Sequence, residues 1–94
     1  MRESAIEKAV CDFARANGCL VYKMSGTNQK GQPDRQILKN GKTIFLEIKA
    51  PNKQPTALQY RALRLLEAQG FFATWVDNAS MGIYWIKEKL LGYE

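Results

Sequence analysis

Pro33-Asp34-Arg35-Gln36-Ile37-Leu38-Lys39-Asn40-Gly41-Lys42-Thr43-Ile44-Phe45-Leu46-Glu47-Ile48-Lys49 is the stretch on which the fold turns. Two extended runs, 34–39 and 42–50, flank Asn40-Gly41, the strongest two-residue signal for a tight β-hairpin. Antiparallel pairing about that turn sets position 34 opposite position 47. Side chains alternate along a strand, so Glu47 and Lys49 share one face while Ile48 takes the other. The hairpin therefore gathers two carboxylates and an amine at its open end.

Working outward, 19–24 reads as a further strand, and the polar, glycine-containing run 25–33 between it and the hairpin reads as a loop with a role in function. Ahead of these, Ile6, Ala9, Val10 and Phe13 recur at helical spacing over 4–17, with Gly18 at the stop. On the other side Pro51 and Pro55 break the chain, and Thr56 with Gln59 three residues on forms a capping box. A second helix follows, its pattern carried by Leu58, Ala62, Leu65, Leu66 and Gln69 down to Gly70. The aromatic-rich run 71–76 is too short for a helix and reads as a buried strand. The tail, 82–86 and then 87–91, reads as a short strand followed by a short helix. The expectation is a mixed α/β fold, helices packed on a small sheet, with one domain spanning 1–94.

The 94 residues carry a formal net charge of +5, an excess that favours a polyanionic partner over an acidic small molecule. Histidine is absent, which excludes His-based triads and zinc sites of the HExxH kind. Hydrolytic chemistry must then run on carboxylates, lysine and a hard metal ion. Cys11 and Cys19 are too few for a disulfide framework and form no metal motif. With no apolar span or leader pattern, the expected location is the cytoplasm, with no part in a membrane.

Two carboxylates set close together repel, and a divalent cation between them removes that cost. Asp34 and Glu47 are the candidate ligands for Mg²⁺ or Mn²⁺, with the Ile48 carbonyl as a further one. Lys49, beside the ion, is placed to contact a phosphate and either orient an attacking water or stabilise charge developing on phosphorus. Taken singly, each residue has an ordinary explanation: Asp34 capping a turn, Glu47 and Lys49 an ion pair on a sheet. Their conjunction at hairpin distance points to catalysis.

Gly31-Gln32-Pro33-Asp34-Arg35, Phe45-Leu46-Glu47-Ile48-Lys49-Ala50-Pro51 and then Gln59 on a helix resemble the VRR-NUC branch of the PD-(D/E)XK nucleases, in particular its short stand-alone bacteriophage forms. The resemblance covers nearly the whole chain. It implies a restriction-endonuclease-like core in which Asp34 and Glu47 bind metal, Lys49 is catalytic and Gln59 helps to shape the site. It also implies a glutamate from the first helix, for which Glu3 and Glu7 compete. At ~100° per residue they fall about 60° and about 100° from Ile6 at the centre of the buried face, so both can border the core. Both would also be favourable simply as acids near a helix N-terminus, and Gln59 simply as half of a capping box.

Lys23, Lys30, Arg35, Lys53 and Arg61 form a candidate phosphate-contacting rim. The function implied is a structure-selective DNA endonuclease acting on branched DNA, similar to Holliday-junction resolvases and working as a homodimer. The aromatics of the last two strands are a candidate dimer interface. A non-catalytic nucleic-acid-binding module and a protein-interaction subunit are the competing readings.

Overall fold

The computed structural model describes residues 1–24 and 31–92. Helix α1 (Glu3–Ala16) leads into β1 (Leu20–Lys23), then the hairpin β2 (Arg35–Lys39) and β3 (Lys42–Ile48). Helix α2 (Ala57–Ala68), strand β4 (Phe72–Val76), helix α3 (Ala79–Ile86) and a π-helical turn, Lys87–Leu91, complete the order. The four strands form one sheet in the order β1-β2-β3-β4.

Asn40 and Gly41 both take positive φ, 52° and 79°, as a two-residue type I′ turn demands. Lys39 pairs with Lys42 and Arg35 with Leu46, the register counted back from that turn. Continued by one residue, it sets Asp34 against Glu47. Strand β4 lies parallel to β3, Glu47 opposite Trp75, and a parallel pair needs a crossover, which α2 provides.

Both faces of β3 are covered. Ile44, Leu46 and Ile48 join Ile6, Val10 and Ala14 of α1 and Ile86 and Leu90 of the C-terminal helical segment in the main core. On the opposite face Phe45 packs with Leu63 of α2 and Ala73 of β4. The α1 stripe is the one its spacing indicates, with Ile6 and Val10 fully buried. Its end is closed by the paired bonds Gly18 N–H to Arg15 and Cys19 N–H to Ala14.

Two expectations are corrected. Residues 82–86 are helical, not a strand, so the sheet has one strand fewer than the composition suggested. The Asn78 side chain caps this helix by accepting the Met81 N–H at 2.9 Å. At Gly82 a Cβ would stand 2.6 Å from Val10 Cγ2, so only glycine lets α3 press so close on α1. Tertiary packing thus overrides the β preference of Ile83, Tyr84, Trp85 and Ile86. The candidate interface aromatics therefore lie on β4 and α3.

The second correction concerns the rotation of α2. Leu58 and Leu65 are 53% and 58% exposed, and Leu63 is the buried residue of the helix. Gln59, Leu63 and Leu66, at helical spacing, face the sheet instead: Leu63 and Leu66 pack with Phe45 and Ala73, and Gln59 is bonded to Glu47.

The close helix contact yields a test. Val10 is β-branched, fully buried and stiff at χ1, so an added methyl at position 82 must displace it. Gly82→Ala should lower the unfolding free energy by about 1–2 kcal/mol despite alanine's better helix propensity. Urea denaturation of the Val10→Ala/Gly82→Ala pair should show less than the sum of the two single losses; strict additivity would count against the contact.

Candidate active site

The hairpin's open end holds the acidic centre. Asp34 sits just ahead of β2 and is gripped by two strands: its main-chain carbonyl accepts from Met24 N–H at 2.9 Å, and its Oδ2 accepts from Ile48 N–H at 2.8 Å. Pro33 beside it is fully buried, which fixes the entry of the chain.

Glu47 is the buried charged residue of the described chain, at 3% exposure. Its Oε2 accepts from Gln59 Nε2 at 3.1 Å and lies 3.4 Å from Lys49 Nζ. Its Oε1 is buried and has no hydrogen-bond partner. Burial, then the neighbouring Asp34 carboxylate, push the Glu47 carboxyl up to about 7, against the pull of Lys49. Burial raises Asp34 as well; the Ile48 N–H holds it partly down, and Glu7 and Glu3 add to the rise.

The two first-helix acids differ in what they touch. Glu7 Oε2 is paired with Arg35 Nε at 2.8 Å, both side chains largely buried. Glu3 is exposed, and its charge acts on both Asp34 and Glu47. Arg35 is thereby turned towards α1 and away from the solvent rim proposed for it. Lys23, Lys53 and Arg61 are exposed, and Lys30 lies outside the described residues. Sequence reasoning missed the Glu7–Arg35 pair and the use of the Ile48 amide; neither has a local sequence signal.

Among the described residues no set of three His, Cys, Asp or Glu side chains is arranged as a metal cage. What the centre offers is a carboxylate pair, one member with a bare buried oxygen. That donor set fits a hard divalent cation of the Mg²⁺ class, which takes one or two protein carboxylates and keeps several waters. An unpartnered buried carboxylate oxygen otherwise costs about 1–3 kcal/mol or more.

No family model matches the chain. It is 38% identical over 82 residues to "Putative nuclease p44" of Acyrthosiphon pisum secondary endosymbiont phage 1, an alignment that covers 86% of this chain and 88% of that protein. A solved structure described as "VRR_NUC domain" superposes with a TM-score of 0.81 at 26% identity, covering 90% of this chain and 94% of its own.

The raised Glu47 carboxyl has a consequence for stability. The folded chain holds a proton that the unfolded chain releases near 4.5, so metal-free stability from this group is full below about 4.5 and falls as pH rises to about 7. The loss is on the order of 3 kcal/mol at most. In the presence of chelator, Glu47→Gln should unfold like the parent at pH 4.5 but resist urea better at pH 8. A variant weaker than the parent at pH 8 would show that the buried charge is not the burden argued here.

Proposed function

The chain belongs to the VRR-NUC family of nuclease domains, in its short phage form, and from that premise we propose that it is a metal-dependent endonuclease cleaving phosphodiester bonds in branched DNA. The observation that carries this reading is the buried Glu47 carboxylate, set beside Asp34 with Oε1 bare and Lys49 Nζ at 3.4 Å from Oε2. In this reading residues 1–94 are one nuclease domain that works in the cytoplasm.

Asp34, Glu47 and the Ile48 carbonyl would hold the Mg²⁺ or Mn²⁺ ion. Bound there, such an ion supplies Lewis-acid polarisation of a phosphate oxygen and a water of lowered pKa. Lys49, 15% exposed and anchored beside Glu47, presents its ammonium group to the scissile phosphate and neutralises charge as it develops. Gln59 holds Glu47 in place. Glu3 is the first-helix acid at the reacting centre, since Glu7 is committed to Arg35.

Lys23, Lys30, Lys53 and Arg61 contact flanking phosphates without reading bases, which suits selection by DNA shape. A two-fold homodimer would offer two such centres to a four-way Holliday junction.

Labelled four-way junction incubated with the chain across Mg²⁺ and Mn²⁺ concentrations should be cut, whereas binding without cleavage at every concentration would make the chain a non-catalytic module. Lys49→Ala should lose about 10²–10³-fold in cleavage rate. Its junction affinity should stay close to the parent's, and near-normal cutting would remove Lys49 from the mechanism. Asp34→Asn should weaken Mn²⁺ binding in calorimetric titration while the fold persists by circular dichroism; unchanged affinity would remove Asp34 from the ion's ligands.

A further inference from the structure

We propose that the cleft between α2 and the end of β1 takes an unpaired nucleobase of the DNA strand that lies at the acidic centre. The proposal rests on the reading of Asp34, Glu47 and Lys49 as a nuclease centre and deepens it, by naming what in a branched DNA the chain recognises.

Helix α2 carries two apolar stripes. Leu63 and Leu66 pack with Phe45 and Ala73 on the sheet. Leu58, Ala62 and Leu65, spaced i, i+4 and i+7, form the other, with both leucines more than half exposed. This second stripe is one wall of a cleft of about 410 Å³, and Met24 and Pro33 stand across it. The wall at Pro33 is tied to the helix at one end: a Cβ at Gly31, where φ is +80°, would stand 2.6 Å from the Leu58 carbonyl oxygen.

Charge and position say what fits there. Among the described residues that line the cleft, Arg61 is the charged one, so an apolar slot is joined to a single cation. A nucleotide has the matching two parts, a flat base for the slot and a phosphate for the guanidinium. Unstacked bases are held between apolar side chains as well as aromatic ones, and a thioether such as that of Met24 favours the edge of a ring.

The cleft also adjoins the acidic centre along both walls. Pro33 is followed by Asp34, and Leu58 by Gln59, whose side chain is bonded to Glu47. A strand with its phosphate at that centre therefore runs past the mouth of the cleft. In an intact duplex the base must first be unpaired and unstacked, which costs free energy; at a bulge or branch point that cost is already met. The cleft thus favours DNA with an unpaired base beside the cut without reading base edges.

The test uses the full chain in chelator, where binding is read without cleavage. Two end-labelled duplexes are compared by fluorescence anisotropy, one with a single bulged 2-aminopurine and one with the same base paired. The parent should bind the bulged duplex about tenfold more tightly, and the emission of the bulged 2-aminopurine should change on binding. The Leu58→Ser/Leu65→Ser pair, and separately Ala62→Leu, which fills the cleft, should bring the two affinities towards parity with circular dichroism unchanged. Leu20→Ser removes a leucine of similar exposure, 59%, outside the cleft and should keep the preference.

Equal affinity of the parent for the two duplexes overturns the proposal. So does a preference that both cleft variants leave intact, since the base is then held elsewhere. If the paired serine substitutions turn a dimer into a monomer by sedimentation and lower both affinities alike, the cleft is a contact between copies and the proposal is again overturned. If the preference follows the cleft while neither duplex nor junction is cut in Mg²⁺ or Mn²⁺, the nuclease reading fails and the base-binding cleft stands.

Discussion

A carboxylate at 3% exposure in an interior strand of a 94-residue chain is the constraint from which the rest of this structure follows. An isolated ionised carboxylate loses several kcal/mol of hydration on such burial. Glu47 recovers part of it through the Gln59 amide and the Lys49 ammonium, both on one oxygen, and Asp34 alongside makes the remainder worse. A site arranged for the stability of the metal-free chain would place a donor at Oε1. Instead the sequence leaves that oxygen bare and sets a second carboxylate beside it, which is intelligible where a cation completes the group.

The topology and the centre are two aspects of one arrangement. Because β4 runs parallel to β3, the chain must cross over the sheet, and the crossover is α2. That crossing brings Gln59 above Glu47. The helix turns Gln59 towards Glu47 and Leu63 and Leu66 towards Phe45 and Ala73, and Leu58 and Leu65 are left in solvent. Meanwhile alternation along β3 sends Ile44, Leu46 and Ile48 to the other face, against α1 and the C-terminal helical segment. One strand thus supplies both the apolar anchor and the acidic centre, and a carboxylate carried on such an element is held more precisely than one on a loop.

What the sequence made legible is what local rules govern. The Asn40-Gly41 turn set the hairpin register, the register set Asp34 against Glu47, and alternation placed Lys49 beside Glu47. The Thr56-Gln59 cap was equally readable, as was α1 with its buried Ile6 and Val10. The tail was misread because Ile83 to Ile86 have strand composition, while their conformation is decided by Gly82 against Val10, a contact made across most of the chain. The α2 stripe was misread in part: Leu66 does pack on the sheet, but apolar residues stand on more than one face of this helix, and spacing alone did not separate Leu63 from Leu58 and Leu65. Gln59 invited two explanations that looked like rivals, a helix cap and a site residue. The two ends of the amide serve different partners, the oxygen the Thr56 N–H and the NH2 the Glu47 carboxylate, so the cap does not exclude the other explanation.

The neighbours Asp34 and Arg35 show how the site is tied to the scaffold on both sides of the sheet. Successive side chains of an extended chain point to opposite faces. Asp34 is bonded to the Ile48 amide of β3, while Arg35 reaches α1 and is paired with Glu7. Two consecutive residues therefore join the hairpin to the first helix at the point where the acidic centre begins. The Glu7 carboxylate is engaged in that junction, a part-buried pair at 2.8 Å. A Glu7 drawn away to an ion would leave Arg35 without that partner. Glu3 has no such tie among the described contacts, and its charge acts on both carboxylates of the centre. The spacing of the helix let both glutamates border the core; the contact in which they differ is the pairing of Glu7 with Arg35.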